Sequence, residues 1–362
     1  MQTETRRRLL IAAMAAGFGA WAAPALAKPG RYVCPPCGCA ADGQWFDQPG
    51  LCPACGMILV LAPGAVATPI EPRKLEAGAG RFEMTGGRAS KRLMVHYYRP
   101  ATFMPDSPIL VVLAGAGRNA DTYRDAWITE ADRAGILIAA PAYPEDAYDI
   151  AAYQMGGIIK DLTIDNMSAG SAAHVHLRDE DMHFSVNPDT DQWIFRDFDS
   201  LFDLLKVQTG SRRQGYDLFG HSAGGQIAHR HVLFHPQSRA DRVVAANAGL
   251  YTLPDLERPP LLGMAGTGVT KGGLKASLGQ KLIILAGEND TNQYSGGSLL
   301  HTPLIDATGE DRMDRARYFY KFAETVARRL EVELAWSFGV VANTGHDFRA
   351  MSAAAARILY RM

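Results

Sequence analysis

From about residue 80 onward, short apolar runs alternate with stretches whose apolar residues recur at helical spacing. Arg81–Met84 and Leu93–Tyr98 read as an opening hairpin, with Gly86-Gly87 in its turn. "ILVVLAG" at 109–115 and "GILIAAP" at 135–141 are continuous apolar runs, as expected of strands buried on both faces. Ile194, Phe198, Leu201, Phe202 and Leu205 share one helical face. Further strands are predicted at "YDLFG" (216–220), "RVVAANAG" (242–249), "KLIILAG" (281–287) and "LAWSFGVV" (334–341). Helical patterns cover Met313–Leu330 and Phe348–Tyr360. Strand-helix alternation over this length predicts an α/β fold with a mainly parallel sheet covered on both faces.

Other stretches break the pattern. "LAPGAVATPIEPRKLEAGAG" at 61–80 has neither period and reads as a linker, assigned to 63–79. A long insertion at about 144–190 separates the second buried strand from the next helix, and its His-rich, acidic segment predicts a polar lid. At the front, a basic segment precedes an apolar run from Leu9 to about Ala23 and a small-x-small end at Ala25-Leu26-Ala27. Residues 1–27 therefore read as a cleavable secretory signal. Arg6-Arg7-Arg8-Leu9-Leu10 fits a twin-arginine signal, with an ordinary export signal as the alternative. The mature chain is expected in a bacterial periplasm or outside the cell.

Composition adds one exclusion. Loss of residues 1–27 moves the formal charge from −1 to −3, too small an imbalance to suggest nucleic acid or an anionic membrane as partner. The apolar run at the front is too short and too rich in Ala and Gly for a membrane span.

The chemistry begins where the "YDLFG" run ends, in Gly220-His221-Ser222-Ala223-Gly224-Gly225. A serine between glycines, after a buried strand and before a helix, is the G-x-S-x-G nucleophile elbow. The turn is so tight that side chains at 220 and 224 would collide with their neighbours. Asp290 follows the "KLIILAG" strand, with Glu288 as the alternative acid, and His346 follows the last strand. Ser222, Asp290 and His346 stand in the chain order of a Ser-Asp-His triad. His346 would act as general base, and Asp290 would fix its tautomer. The N–H groups of Ala223 and of Ala116, with Gly117 as the alternative to Ala116, would form an oxyanion hole. His221 and Tyr294 are candidate pocket residues.

Residues 80–362 resemble the α/β-hydrolase superfamily, and most of all its secreted esterases related to poly(3-hydroxybutyrate) depolymerases and feruloyl esterases. "ILVVLAGAGRNADTY", "GHSAGGQIAHRHVLFHP", "VVAANAGLYTLPD" and "WSFGVVANTGHDFRAM" carry the resemblance. Ala114 departs from it, since relatives usually have histidine there. The resemblance implies ester hydrolysis without a catalytic cofactor, on a small or oligomeric ester. Two other readings stay open: a peptidase or amidase using the same triad, and a metal-binding or metal-delivery protein on a silent hydrolase scaffold.

All five cysteines lie within residues 34–55. Cys34-x₂-Cys37 and Cys52-x₂-Cys55 are spaced like the halves of a zinc ribbon, with Cys39 able to replace Cys37. The module, assigned to 28–62, also resembles the short heavy-metal-binding domain of metal-efflux proteins through Tyr32, Cys34, Pro35, Pro49, Gly50, Cys52, Pro53, Cys55, Gly56 and Met57. That family has Met-His where this chain has Pro36-Cys37, a change that favours all-thiolate zinc over copper. Copper, another heavy metal or disulfides remain alternatives. His174, His176 and His183 form a further candidate metal cluster or part of the lid, and His231 and His235 read as structural.

Overall fold

The structure, a computed structural model, describes residues 32–34, 37–46, 52–56, 59–61, 74–87, 91–165, 174–291 and 296–361. The expected signal at 1–27, most of the expected linker and Tyr294 lie outside the described residues. The chain divides into two units, Met1–Glu71 and Pro72–Met362. The first holds β1 (Tyr32–Val33), β2 (Trp45–Phe46) and β3 (Val60–Leu61), an antiparallel sheet with β1 in the centre. Its small apolar cluster includes Cys34, Ala41, Cys52 and Leu59.

In the second unit, β4 (Gly78–Gly87) and β5 (Lys91–Arg99) pair antiparallel as the opening hairpin. Gly87 pairs with Lys91, so the two glycines expected in the turn close the strand instead. Then follow β6 (Ile109–Leu113), α1 (Ala120–Asp125), α2 (Ile128–Ala134) and β7 (Leu137–Ala142). The insertion holds β8 (Ile159–Ile164), β9 (His174–His176) and β10 (Met182–Val186). After it come α3 (Phe195–Thr209), β11 (Tyr216–His221), α4 (Ala223–Phe234), β12 (Ala240–Ala246), α5 (Lys271–Leu278) and β13 (Leu282–Gly287). The chain continues with β14 (Leu299–His301), α6 (Pro303–Asp306), α7 (Arg312–Leu330), β15 (Ser337–Val341) and α8 (Phe348–Tyr360).

The main sheet has eight strands in the order β15-β13-β12-β11-β6-β7-β5-β4. All neighbours from β7 to β15 run parallel, and β5 joins β7 antiparallel. Alternation along β6 shows how both faces are filled. Ile109, Val111 and Leu113 pack toward α3, α4, α5 and α7, while Leu110 and Val112 pack toward α1, α2 and α8. A run of five apolar residues is what that two-sided burial requires. The last strand starts at Ser337 rather than Leu334, since the N–H of Ala335 bonds the carbonyl of Leu278 outside the sheet. No helix among the described residues is long and apolar enough to cross a membrane.

Candidate active site

β11 and α4 are joined without a loop, and Ser222 is the joint. Its φ of 59° and ψ of −118° lie in a region that non-glycine residues rarely occupy. The turn is held because the N–H of Ser222 donates to Ala246 at 2.9 Å, and its carbonyl accepts from Gln226 at 3.0 Å. A Cβ at Gly220 would overlap the carbonyl of Gly224, and one at Gly224 would overlap that of Leu113. Ala223 opens the helix, so its N–H has no intrahelical acceptor. Ala116, Gly117, Ser222, Ala223, His221 and His346 all line one cavity of about 420 Å³.

Asp290 and His346 come from the loops after β13 and β15. Nδ1–H of His346 donates to Oδ2 of Asp290 at 2.7 Å, and Asp290 is fully buried. Glu288, the alternative acid, instead accepts the N–H of Asn343 at 2.8 Å. Burial of His346 lowers its pKa below the ordinary value and the charge of Arg312 adds to the effect, while the bond to Asp290 opposes both. A base depressed in this way stays unprotonated into mildly acidic conditions.

Three supporting residues that the sequence reading does not single out join the site. Nη1 of Arg312, on α7, donates to Oδ1 of Asp290 at 3.2 Å with its side chain 1% exposed, and Nη2 donates to the carbonyl of Ser298 at 3.0 Å. Asn247 joins the two loops: Nδ2 donates to Gly345 at 3.0 Å, and Oδ1 accepts from Gly287 at 2.7 Å. Tyr123, on α1, accepts the N–H of Gly115 and lies 3.0 Å from Nδ1 of His221, which fixes the loop carrying Ala116. Burial pushes the Tyr123 phenol up to about 12, so it stays a neutral donor. Burial first, and then the neighbouring His346 and Arg312, hold His221 well below the ordinary imidazole range. A polar residue at the buried end of β12 was the available signal for Asn247; Arg312 and Tyr123 gave none.

The insertion forms one wall of the cavity, and the polar lid expected from its composition is not what faces the serine. Leu162 and Ile164 of β8, Val175 of β9 and Met182 of β10 line it instead. His183 and Ser185 alternate outward along β10, and Lys160, Asp161 and Thr163 are exposed on β8, whose alternation is interrupted at Asp161, where φ is 56°. His174 lies 2.9 Å from His301 and His176 stacks on His301 at 4.6 Å, while His183 meets Asp165 at 3.1 Å. His231 is fully buried and His235 bonds Asp199 at 2.9 Å, both within the packing of α4.

In the first unit the five cysteines are thiols rather than disulfides, and they are gathered together. Cys34, Cys39, Cys52 and Cys55 place their sulfurs within 4.8 Å of one another, and Cys37 belongs to an overlapping group with Cys34, Cys39 and Asp42. Sγ of Cys34 is 3.5 Å from Cys55, 3.6 Å from Cys37 and 3.8 Å from Cys39, and Cys39 is 4.0 Å from Cys52. A tetrahedral site with Zn–S of about 2.3 Å has sulfurs roughly 3.8 Å apart, so the cluster can hold such an ion. Burial and the neighbouring thiols raise the pKa of Cys34, a cost that a bound cation removes. Among the described residues, only cysteine-containing groups come close enough to hold a metal.

No family model matches the chain and no curated protein matches it. Among solved structures it is similar to poly(aspartic acid) hydrolase-1 from Sphingomonas sp. KT-1, with 35% identity over 80% of this chain and 100% of that one, at a TM-score of 0.69. It is also similar to a poly(3-hydroxybutyrate) depolymerase from Bordetella parapertussis, with 29% identity over 79% of this chain and 91% of that one, at a TM-score of 0.66.

Proposed function

Because this chain belongs to the α/β-hydrolase family that includes poly(aspartic acid) hydrolase-1, we propose that it is an exported serine esterase whose acyl-enzyme forms on Ser222. The observation that carries the reading is the 2.7 Å contact between His346 and buried Asp290, beside a strained serine in the same cavity. Oγ of Ser222 attacks the ester carbonyl as Nε2 of His346 takes its proton. The oxyanion is met by the N–H groups of Ala223 and Ala116, each worth roughly 3 kcal/mol of barrier. Collapse expels the alcohol, protonated by His346, and leaves the acyl group on Ser222. Water, deprotonated by His346, then releases the acid and restores the serine. Asp290 stays ionised throughout and holds the imidazole in the working tautomer.

The cysteine module is read as a structural zinc site that staples a unit too small to build its own core. Its ligands are Cys34, Cys52 and Cys55, with Cys39 or Cys37 as the fourth. Export rests on residues 1–27. An amide-cleaving reading is kept because the name of the more similar relative points to an amide polymer.

A fluorophosphonate probe on the purified chain tests the reading. One adduct by intact mass, absent in Ser222→Ala, is expected; no adduct on a folded, metal-replete protein overturns it. Faster turnover of p-nitrophenyl acetate than of the matching anilide is the expected outcome, and the reverse favours the amidase.

A further inference from the structure

The cavity beside Ser222 is walled by parts of the chain with no common origin in sequence. Leu162, Ile164 and Val175 come from the insertion, Leu250 follows β12, and Leu299 and Leu300 belong to β14. Among the described residues, no lysine, arginine, aspartate or glutamate side chain lines it. That is a matter of direction, since the insertion is rich in charge. Lys160 and Asp161 point outward on β8, Arg178 bonds Asp181 at 2.6 Å, and Asp165 meets His183 at 3.1 Å. Residues 166–173 and 292–295, which adjoin these elements in the chain, contain no Lys, Arg, Asp or Glu.

A cavity of this kind rewards burial of methylene groups in proportion to their area. It also takes the hydration from a carboxylate without offering a cation in return. Resting on the serine-esterase reading, we propose that the site selects esters with an uncharged aliphatic acyl chain and excludes acyl groups that carry a carboxylate. Leu162, Ile164 and Val175 set that choice. A polymer with a carboxylate on every residue, such as poly(aspartic acid), is therefore a poor substrate for this chain.

The test is a series of p-nitrophenyl esters on the full chain: acetate, butyrate, hexanoate, and the mono-ester of adipic acid, which is hexanoate with a terminal carboxylate. kcat/KM is expected to rise roughly fourfold per added methylene. The adipate ester should fall about 100-fold below hexanoate, and poly(aspartic acid) should not be cleaved. In Ile164→Lys the ratio of adipate to hexanoate turnover should rise at least about tenfold through charge pairing. A flat chain-length profile, or adipate matching hexanoate, overturns the proposal while ester turnover and Ser222 labelling still stand. Absence of both turnover and labelling overturns the serine-esterase reading itself, and the proposal with it.

Discussion

Asp290 accepts from two side chains at once, His346 through one oxygen and Arg312 through the other. The pair with Arg312 is buried on both sides, so removing the guanidinium leaves a carboxylate without its countercharge. Arg312→Met should cost about 3 kcal/mol of stability. It should also move the acid limb of the kcat/KM profile upward. Loss of the positive charge lets His346 protonate at higher pH, so activity would disappear sooner as pH falls. Arg312→Lys, which keeps a charge, should hold the limb nearer its original position. A purely structural role for Arg312 would lower melting temperature and leave the limb where it was. The residue gave no sign in the sequence because its partner lies 22 positions away, across an interval with no regular period. Ser222 and Asp290 stand out in the sequence because each follows an apolar run that forms a buried strand, while His346 follows the half-exposed edge strand β15 and stands out by its place after the last strand.

At the scale of elements, the β11–α4 elbow depends on an approach so close that only glycine is tolerated. Gly224→Ala would force the new methyl group into the carbonyl of Leu113 on β6. Because that carbonyl is backbone of a central strand, the helix must shift instead. A loss of at least about 2 kcal/mol is expected by thermal unfolding, with fluorophosphonate labelling falling as the serine leaves its position. The parallel strands were readable for the same reason the glycines were: burial on both faces leaves a continuous apolar signature. The insertion reads as polar in sequence because its strands are only three to six residues long. Over so few positions, with the alternation of β8 broken at Asp161, composition does not show which side chains face the cavity.

At the scale of the molecule, two units of very different size have different sources of stability. The larger one fills both faces of an eight-stranded sheet. The smaller one gathers its thiols where a larger domain would place a core. Cys34→Ser should therefore lose zinc, read as metal per chain by mass spectrometry of the native protein. Labelling of Ser222 should persist, because the elbow is built wholly from the second unit. Zinc retained in the variant would remove Cys34 from the ligand set. The spacing of the cysteines made the site visible in sequence, but it could not choose between Cys37 and Cys39. Both lie within a few residues of the same turn, and only their three-dimensional direction separates them.

Among the described residues β15 is an edge strand, paired with β13 alone, and the loop after it carries His346, whereas Ser222 follows β11, three strands inward. His346 is thus attached to the open border of the sheet and Ser222 to its enclosed centre. Warming such a molecule frays its border before its centre. On the proposed mechanism, activity is expected to fade on warming while most of the fold is intact, and to return on cooling as the border closes again.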